Sequence, residues 1–225
     1  MPRLARTLVV PAAAVVLAAG LTGCAQAASG NTTLPGAGSD QVEGAAAPVR
    51  YSGLTGTTRI SLDPAFTSAL DEADVLPLAV GDATLRGDVL ALPVTGGSLT
   101  VNRSIGARVT VEGNLEHLGS GLVLRADGTT VRISDLALDD LRDGGVLTGD
   151  VEVDGRSVAT GMRLFTLDGG TTSPIGADVS SSSVLDGSTV QVATPLAAVL
   201  ATAFGADAVP AGTRLGTATI DVRGP

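Results

Sequence analysis

From Val49 onward the chain is written in short segments that alternate apolar and polar residues and are broken by glycine-containing turns, the period of half-buried β-strands. The clearest segment runs from Leu122 to Ser134 and is centred on Asp127-Gly128. A two-residue turn there sets Leu124 opposite Val131 and Leu122 opposite Ile133 on one face, with Arg125 opposite Thr130 on the other. Asp154-Gly155 does the same for Gly149 to Thr160 and predicts Val151 opposite Val158. Gly96-Gly97 and Asp186-Gly187 are weaker hairpin signals. Strand-like runs at residues 57–62, 89–94, 99–101, 109–115, 162–167, 188–192 and 213–222 bring the total to ten or more. Short strands with turns every 8 to 12 residues or so predict a mainly β fold, an antiparallel sandwich or barrel.

Two helices interrupt this pattern. Asp63-Pro64 is a cap followed by proline at the first helical position, opening a helix through about Ala73 with Phe66, Ala69, Leu70 and Ala73 on one face. Thr194-Pro195 repeats the signal, and the second helix runs to Phe204 with Gly205 as its stop. Both are short enough to cap the ends or open edges of a sheet assembly.

Before Val49 the pattern is different. Arg3 and Arg6 precede an apolar run over residues 8–19, too short for a spanning helix of about 20 residues and of the length of a signal peptide. Residues 25–48, rich in Ala, Gly and Ser, have no hydrophobic period and read as a flexible tether with an end-to-end distance of roughly 25 to 30 Å. Between the run and the tether stands Leu21-Thr22-Gly23-Cys24, which resembles the lipobox of bacterial lipoproteins. The resemblance implies that the cysteine thiol is joined to a diacylglycerol, that the chain is cut before Cys24, and that the protein is held by lipid on the outer face of the cytoplasmic membrane. The two arginines are not adjacent, which favours the general secretory route over the twin-arginine one. The expected organisation is a signal peptide (1–23), a lipidated cysteine and tether (24–48) and a single β-rich extracytoplasmic domain (49–225).

Composition narrows the partners. There is no lysine; removal of residues 1–23 leaves 12 arginines against 23 acids, a formal charge of −11. Such a surface repels nucleic-acid phosphates and anionic headgroups, so contact with the bilayer is expected through acyl chains alone. Arginine without lysine, with abundant Ala, Gly and Val, suits an actinobacterium-like host. With its only cysteine lipidated the domain has no disulfide, and with one tyrosine, three phenylalanines and no tryptophan its core is aliphatic.

Catalytic chemistry is sparse. His117 is the only imidazole, no Gly-x-Ser-x-Gly elbow accompanies it, and one histidine without a free thiol provides poorly for zinc. Phosphate-binding glycine loops are absent. Asp135, Asp139, Asp140 and Asp143 are oxygen-rich, but their spacing is not that of a calcium loop, and a solvated turn is the plainer reading. No metal site and no enzyme activity are expected. If the alternation through Val109, Val111, Gly113 and Leu115 persists, His117 falls on the apolar face, where an isolated histidine is more often a hydrogen-bonded core residue than a ligand.

The segment from Gly113 to Leu124, with His117, Gly119 and Gly121 before Leu122-Val123-Leu124, resembles the centre of HtaA-type haem-uptake domains. Those domains capture haem through a tyrosine assisted by a histidine. The resemblance implies His117 as the assisting residue and Tyr51, the only tyrosine, as the iron ligand. It departs from the type in reading Glu116-His117-Leu118-Gly119 where Gly-His-x-Gly is usual. The leading expectation is a non-catalytic lipoprotein that binds a ligand or partner, haem or another apolar small molecule among them. The alternatives are a structural or adhesive envelope protein, and a glycan hydrolase using paired carboxylates such as Glu112 or Glu116.

Overall fold

The computed structural model describes residues 47–102, 110–141, 144–170, 182–205 and 208–224. The expected signal peptide, Leu21 to Cys24 and all but the last two residues of the expected tether lie outside them. The described chain forms twelve strands and two helices, predominantly β as the alternation predicts. Strands β1 (Val49–Ser52) and β2 (Thr55–Leu62) precede helix α1 (Pro64–Glu72). Next come β3 (Leu76–Gly81), β4 (Thr84–Arg86), β5 (Val89–Val94) and β6 (Gly96–Asn102). The meander β7 (Thr110–Ala126), β8 (Thr129–Asp139), β9 (Gly145–Val153), β10 (Arg156–Asp168) and β11 (Ser182–Val192) leads to α2 (Thr194–Phe204) and β12 (Arg214–Arg223).

All pairings are antiparallel, in the order β1-β6-β7-β8-β9-β10-β11-β12-β2-β5-β4, with β3 added to the second half of β7. The two ends of this order are joined by the chain itself. β5, paired with β2, runs through Thr95 into β6, paired with β7, so the sheet curls until its ends meet at a covalent corner. Gly96-Gly97, expected as a hairpin turn, is that corner. Gly97 has φ 116°, and a Cβ there would lie 2.3 Å from the Asn114 carbonyl oxygen, so the close approach of β6 to β7 requires glycine. Inside the curl lies one aliphatic cluster that includes Leu92, Leu115, Leu124, Ile133, Leu164 and Leu200.

Both Asp-Gly hairpins form, with positive φ at both turn residues: 44° and 83° at Asp127 and Gly128, 50° and 74° at Asp154 and Gly155. These are the signs of a type I′ turn, whose twist matches that of the strands. In the first hairpin the register is the expected one, with Leu124 opposite Val131, Leu122 opposite Ile133 and Arg125 opposite Thr130. In the second, a bulge after Ser157 sets Val151 opposite Ala159 and turns Val158 outward, correcting the expected Val151–Val158 pair. Asp186-Gly187 is no hairpin either; it is a bulge within β11, with Gly187 at φ 75°.

Three neighbouring ladders are interrupted side by side, between His117 and Gly121 on β7, Ser134 and Ala137 on β8, and Ala159 and Met162 on β10. Bulges bend strands and increase their twist, and this row is a crease across the sheet. Carboxylates on neighbouring strands close two of its gaps, Asp135 Oδ1 accepting from the Gly119 N–H and Asp150 Oδ1 from the Gly161 N–H, each at 2.9 Å. The expected strands 109–115 and the hairpin arm from Leu122 are therefore one creased strand of 17 residues.

Helix α1 starts as expected: Asp63 is the cap, its Oδ1 accepting from the Ala65 N–H at 2.9 Å, and Phe66 and Leu70 are buried. Helix α2 differs at its start. Its cap is Ala193, without a side-chain bond, and Thr194 is already helical; Gly205 ends it at φ 105°.

Candidate functional site

The crease carries His117 into the interior. Along β7, Val111, Leu115 and His117 face the core, Leu118 and Gly119 bulge outward, and Ser120 and Leu122 face the core again. His117 is 0 % exposed. Its Nδ1 lies 2.9 Å from the Pro93 carbonyl oxygen and its Nε2 3.3 Å from Thr58 Oγ1. A carbonyl can only accept, so the ring carries its hydrogen on Nδ1, and Nε2 accepts from the Thr58 hydroxyl. Burial pushes the imidazole below its ordinary value of 6.5, the bond to Pro93 working in the other direction. Both nitrogens are thus engaged, and the hydroxyl–imidazole pair is closed to any substrate, Thr58 being 4 % exposed.

Tyr51 is half-buried against the core from β1. It stands opposite Leu99 of β6, which stands opposite Gly113 of β7. It therefore shares the inner face with His117 but lies two strand spacings away, about 10 Å, and four residues along, about 13 Å. Glu112 and Glu116 are on the other face of β7 from His117. Among the described residues no group of three or more His, Cys, Asp or Glu side chains could hold a metal ion; Asp143 lies outside them.

A third location was not legible in the sequence. Between α2 and the tips of the two Asp-Gly hairpins lies a groove of about 530 Å³, lined by Val153, Val158, Val199 and Ala203, with Thr129 and Asp154 at the hairpin tips. That volume lies within the range of small-molecule sites, roughly 300 to 1,000 Å³. The hairpin rim is tied together, Asp154 Oδ1 accepting from the Thr130 N–H at 2.8 Å and the Asp154 N–H donating to the Thr130 carbonyl at 2.9 Å. Two features open the apolar wall. The bulge in β10 leaves Val158 51 % exposed, and α2, which has no charged residue, buries Leu196, Ala197 and Leu200 while turning Ala198, Val199 and Ala203 to the groove. A helix apolar on more than its core face is the signal the sequence did carry. The groove lies about 20 Å from His117, counting from Thr129 to Leu136, the partner of His117, along β8.

The strand order, the crease and the two helices invite comparison with known structures. The fold is similar to that of the C-terminal domain of HtaA from Corynebacterium glutamicum. The crystal structure of that domain superposes with a TM-score of 0.53 at 15 % identity, covering 76 % of this chain and 99 % of that one. The haem-binding protein HtaB from the same organism is similar at TM-score 0.44 and 16 % identity, over 80 % of this chain and 98 % of that one. No protein-family profile and no curated protein matches the chain.

Proposed function

We infer that the domain is a non-catalytic binding module for an apolar small molecule, held outside the cytoplasmic membrane by lipid at Cys24, with haem as the first ligand to test. The observation that carries the binding is the groove beside α2: ligand-sized, apolar-walled, open to solvent and rimmed by hairpins that are tied in place. The likeness of fold to the HtaA domain and the sequence resemblance around His117 support haem within that class. Anchoring rests on the lipobox-like Leu21 to Cys24 and the apolar run before it.

The groove and Tyr51 make different demands on haem. The groove offers hydrophobic contact, and its one carboxylate, Asp154, already accepts from Thr130. Tyr51 offers a phenol oxygen to iron, whereas His117 stands well away from it along the sheet with both ring nitrogens engaged. Haemin titration of the purified chain, followed at the Soret band, separates them. Loss of saturable binding in Val199→Glu with retention in Tyr51→Ala places the ligand in the groove, and the converse places it at the tyrosine. No saturable change in the unmutated chain removes haem. A fatty-acid label that persists in Cys24→Ser would overturn the anchor.

A further inference from the structure

His117 stands where the two ends of the curled sheet meet. At the corner, the Thr95 N–H and hydroxyl both donate to the Glu116 carbonyl, at 2.8 and 3.1 Å, and Thr95 Oγ1 accepts from the Leu118 N–H at 2.9 Å. Between Glu116 and Leu118, His117 reaches inward to Pro93 of β5 and Thr58 of β2. Three consecutive residues of β7 therefore fasten it to the far end of the sheet, and the middle one can titrate.

We propose that His117 is an acid-operated fastener of this seam, and that protonation of its imidazole parts β7 from the β2–β5 pair and opens the interior. A proton on Nε2 turns that nitrogen from acceptor to donor, so the Thr58 hydroxyl has to reverse its bond and its own hydrogen has to find another acceptor inside the core. Among the described residues the new charge has no buried counter-ion. Arg59 on β2 and Glu116 on β7 lie on the opposite face from Thr58 and His117, and Asp135 and Asp139 on β8 are exposed. β5 and β6 carry no titratable residue, and no other titratable side chain is buried among the described residues.

The direction follows from the buried neutral ring. An opened seam returns the imidazole to water, where it takes up a proton at about 6.5, before the closed form does. Above that pH the closed seam is at full strength. Below it, the opening equilibrium gains up to about tenfold per pH unit until the pH reaches the lower closed-state value, and then levels off.

Hydrogen exchange on the full chain from about pH 7.5 to about pH 5 tests this, with protection factors read at Thr95 and Leu118 and, as a remote control, at Val131. The expected result is a loss of seam protection setting in near pH 6.5 and larger than the loss at Val131, absent from His117→Gln. Because the chain has one histidine, its single imidazole resonance follows the same event, and its midpoint should coincide with the pH range over which seam protection is lost. Seam protection that stays flat while the imidazole titrates overturns the proposal. So does an acid response undiminished in His117→Gln.

Discussion

The two Asp-Gly hairpins share a turn and differ in their ladders. At 127–128 the chain leaves the turn and keeps every pairing back to Gly121; at 154–155 the register holds for two pairs and slips at Val158. The turn residues decide the first pairs, because positive φ at both positions is a local property. The pairs beyond the turn are decided by the neighbours across the sheet. In the first hairpin both arms bury apolar residues against one core, so a slip would turn Leu122, Leu124, Val131 and Ile133 to solvent. In the second, β10 buries little near the turn, and the slip costs less there while giving α2 an apolar neighbour.

The difference between the hairpins is tested most severely at the crease. In Gly121→Ala the new Cβ would lie 1.9 Å from the Ile133 carbonyl oxygen, a backbone atom that moves only with its strand. In Gly149→Ala, on the second hairpin, it would meet the Leu136 and Leu164 methyl groups at 2.8 Å, ends of side chains that can yield, although the Ser134 carbonyl oxygen stands at 2.9 Å. Urea unfolding should show a loss of about 3 kcal/mol or more for the first and about 1 to 2 kcal/mol for the second. Equal losses would mean that the first hairpin is no more rigid than its neighbour.

A smaller difference is expected at the valines. Val131, 0 % exposed, should cost about 2 kcal/mol on truncation to alanine, whereas Val158, 51 % exposed, should cost under about 0.5 kcal/mol. The smallest difference is expected at the turns. Gly128 and Gly155 both have positive φ and open space where a Cβ would go, so Gly128→Val and Gly155→Val should each cost about 1 to 2 kcal/mol through backbone strain, equally within error. Thermal melts of the two variants that differ widely would show that the turns are not equivalent.

The same contrast explains what could be read from the sequence. Helix α1 and both hairpin turns were legible because their causes lie within four residues: a cap and a proline, or two residues that accept left-handed φ. Gly96-Gly97 and Asp186-Gly187 carry the same local signal, yet one is a corner and the other a bulge. A turn, a corner and a bulge all call for positive φ, and only the distant strand that pairs or fails to pair tells them apart. The inward face of His117 was legible from alternation, which survives up to the crease. Its partners were not, since Thr58 and Pro93 are 59 and 24 residues away in sequence. Nor was the groove, whose wall exists because of a one-residue slip.

One pairing sets the order in which such a molecule can be assembled. β12, the last strand in chain order, lies between β2 and β11, and Gly216 to Arg223 pair with Leu62 to Thr55. A growing chain that stops short of β12 has β2 and β11 as open edges with no partner between them, and cannot curl shut. Folding therefore waits for a contact between segments some 160 residues apart, as in Arg59 with Asp221. A topology of that kind folds slowly and holds the chain unlocked until its final strand is supplied.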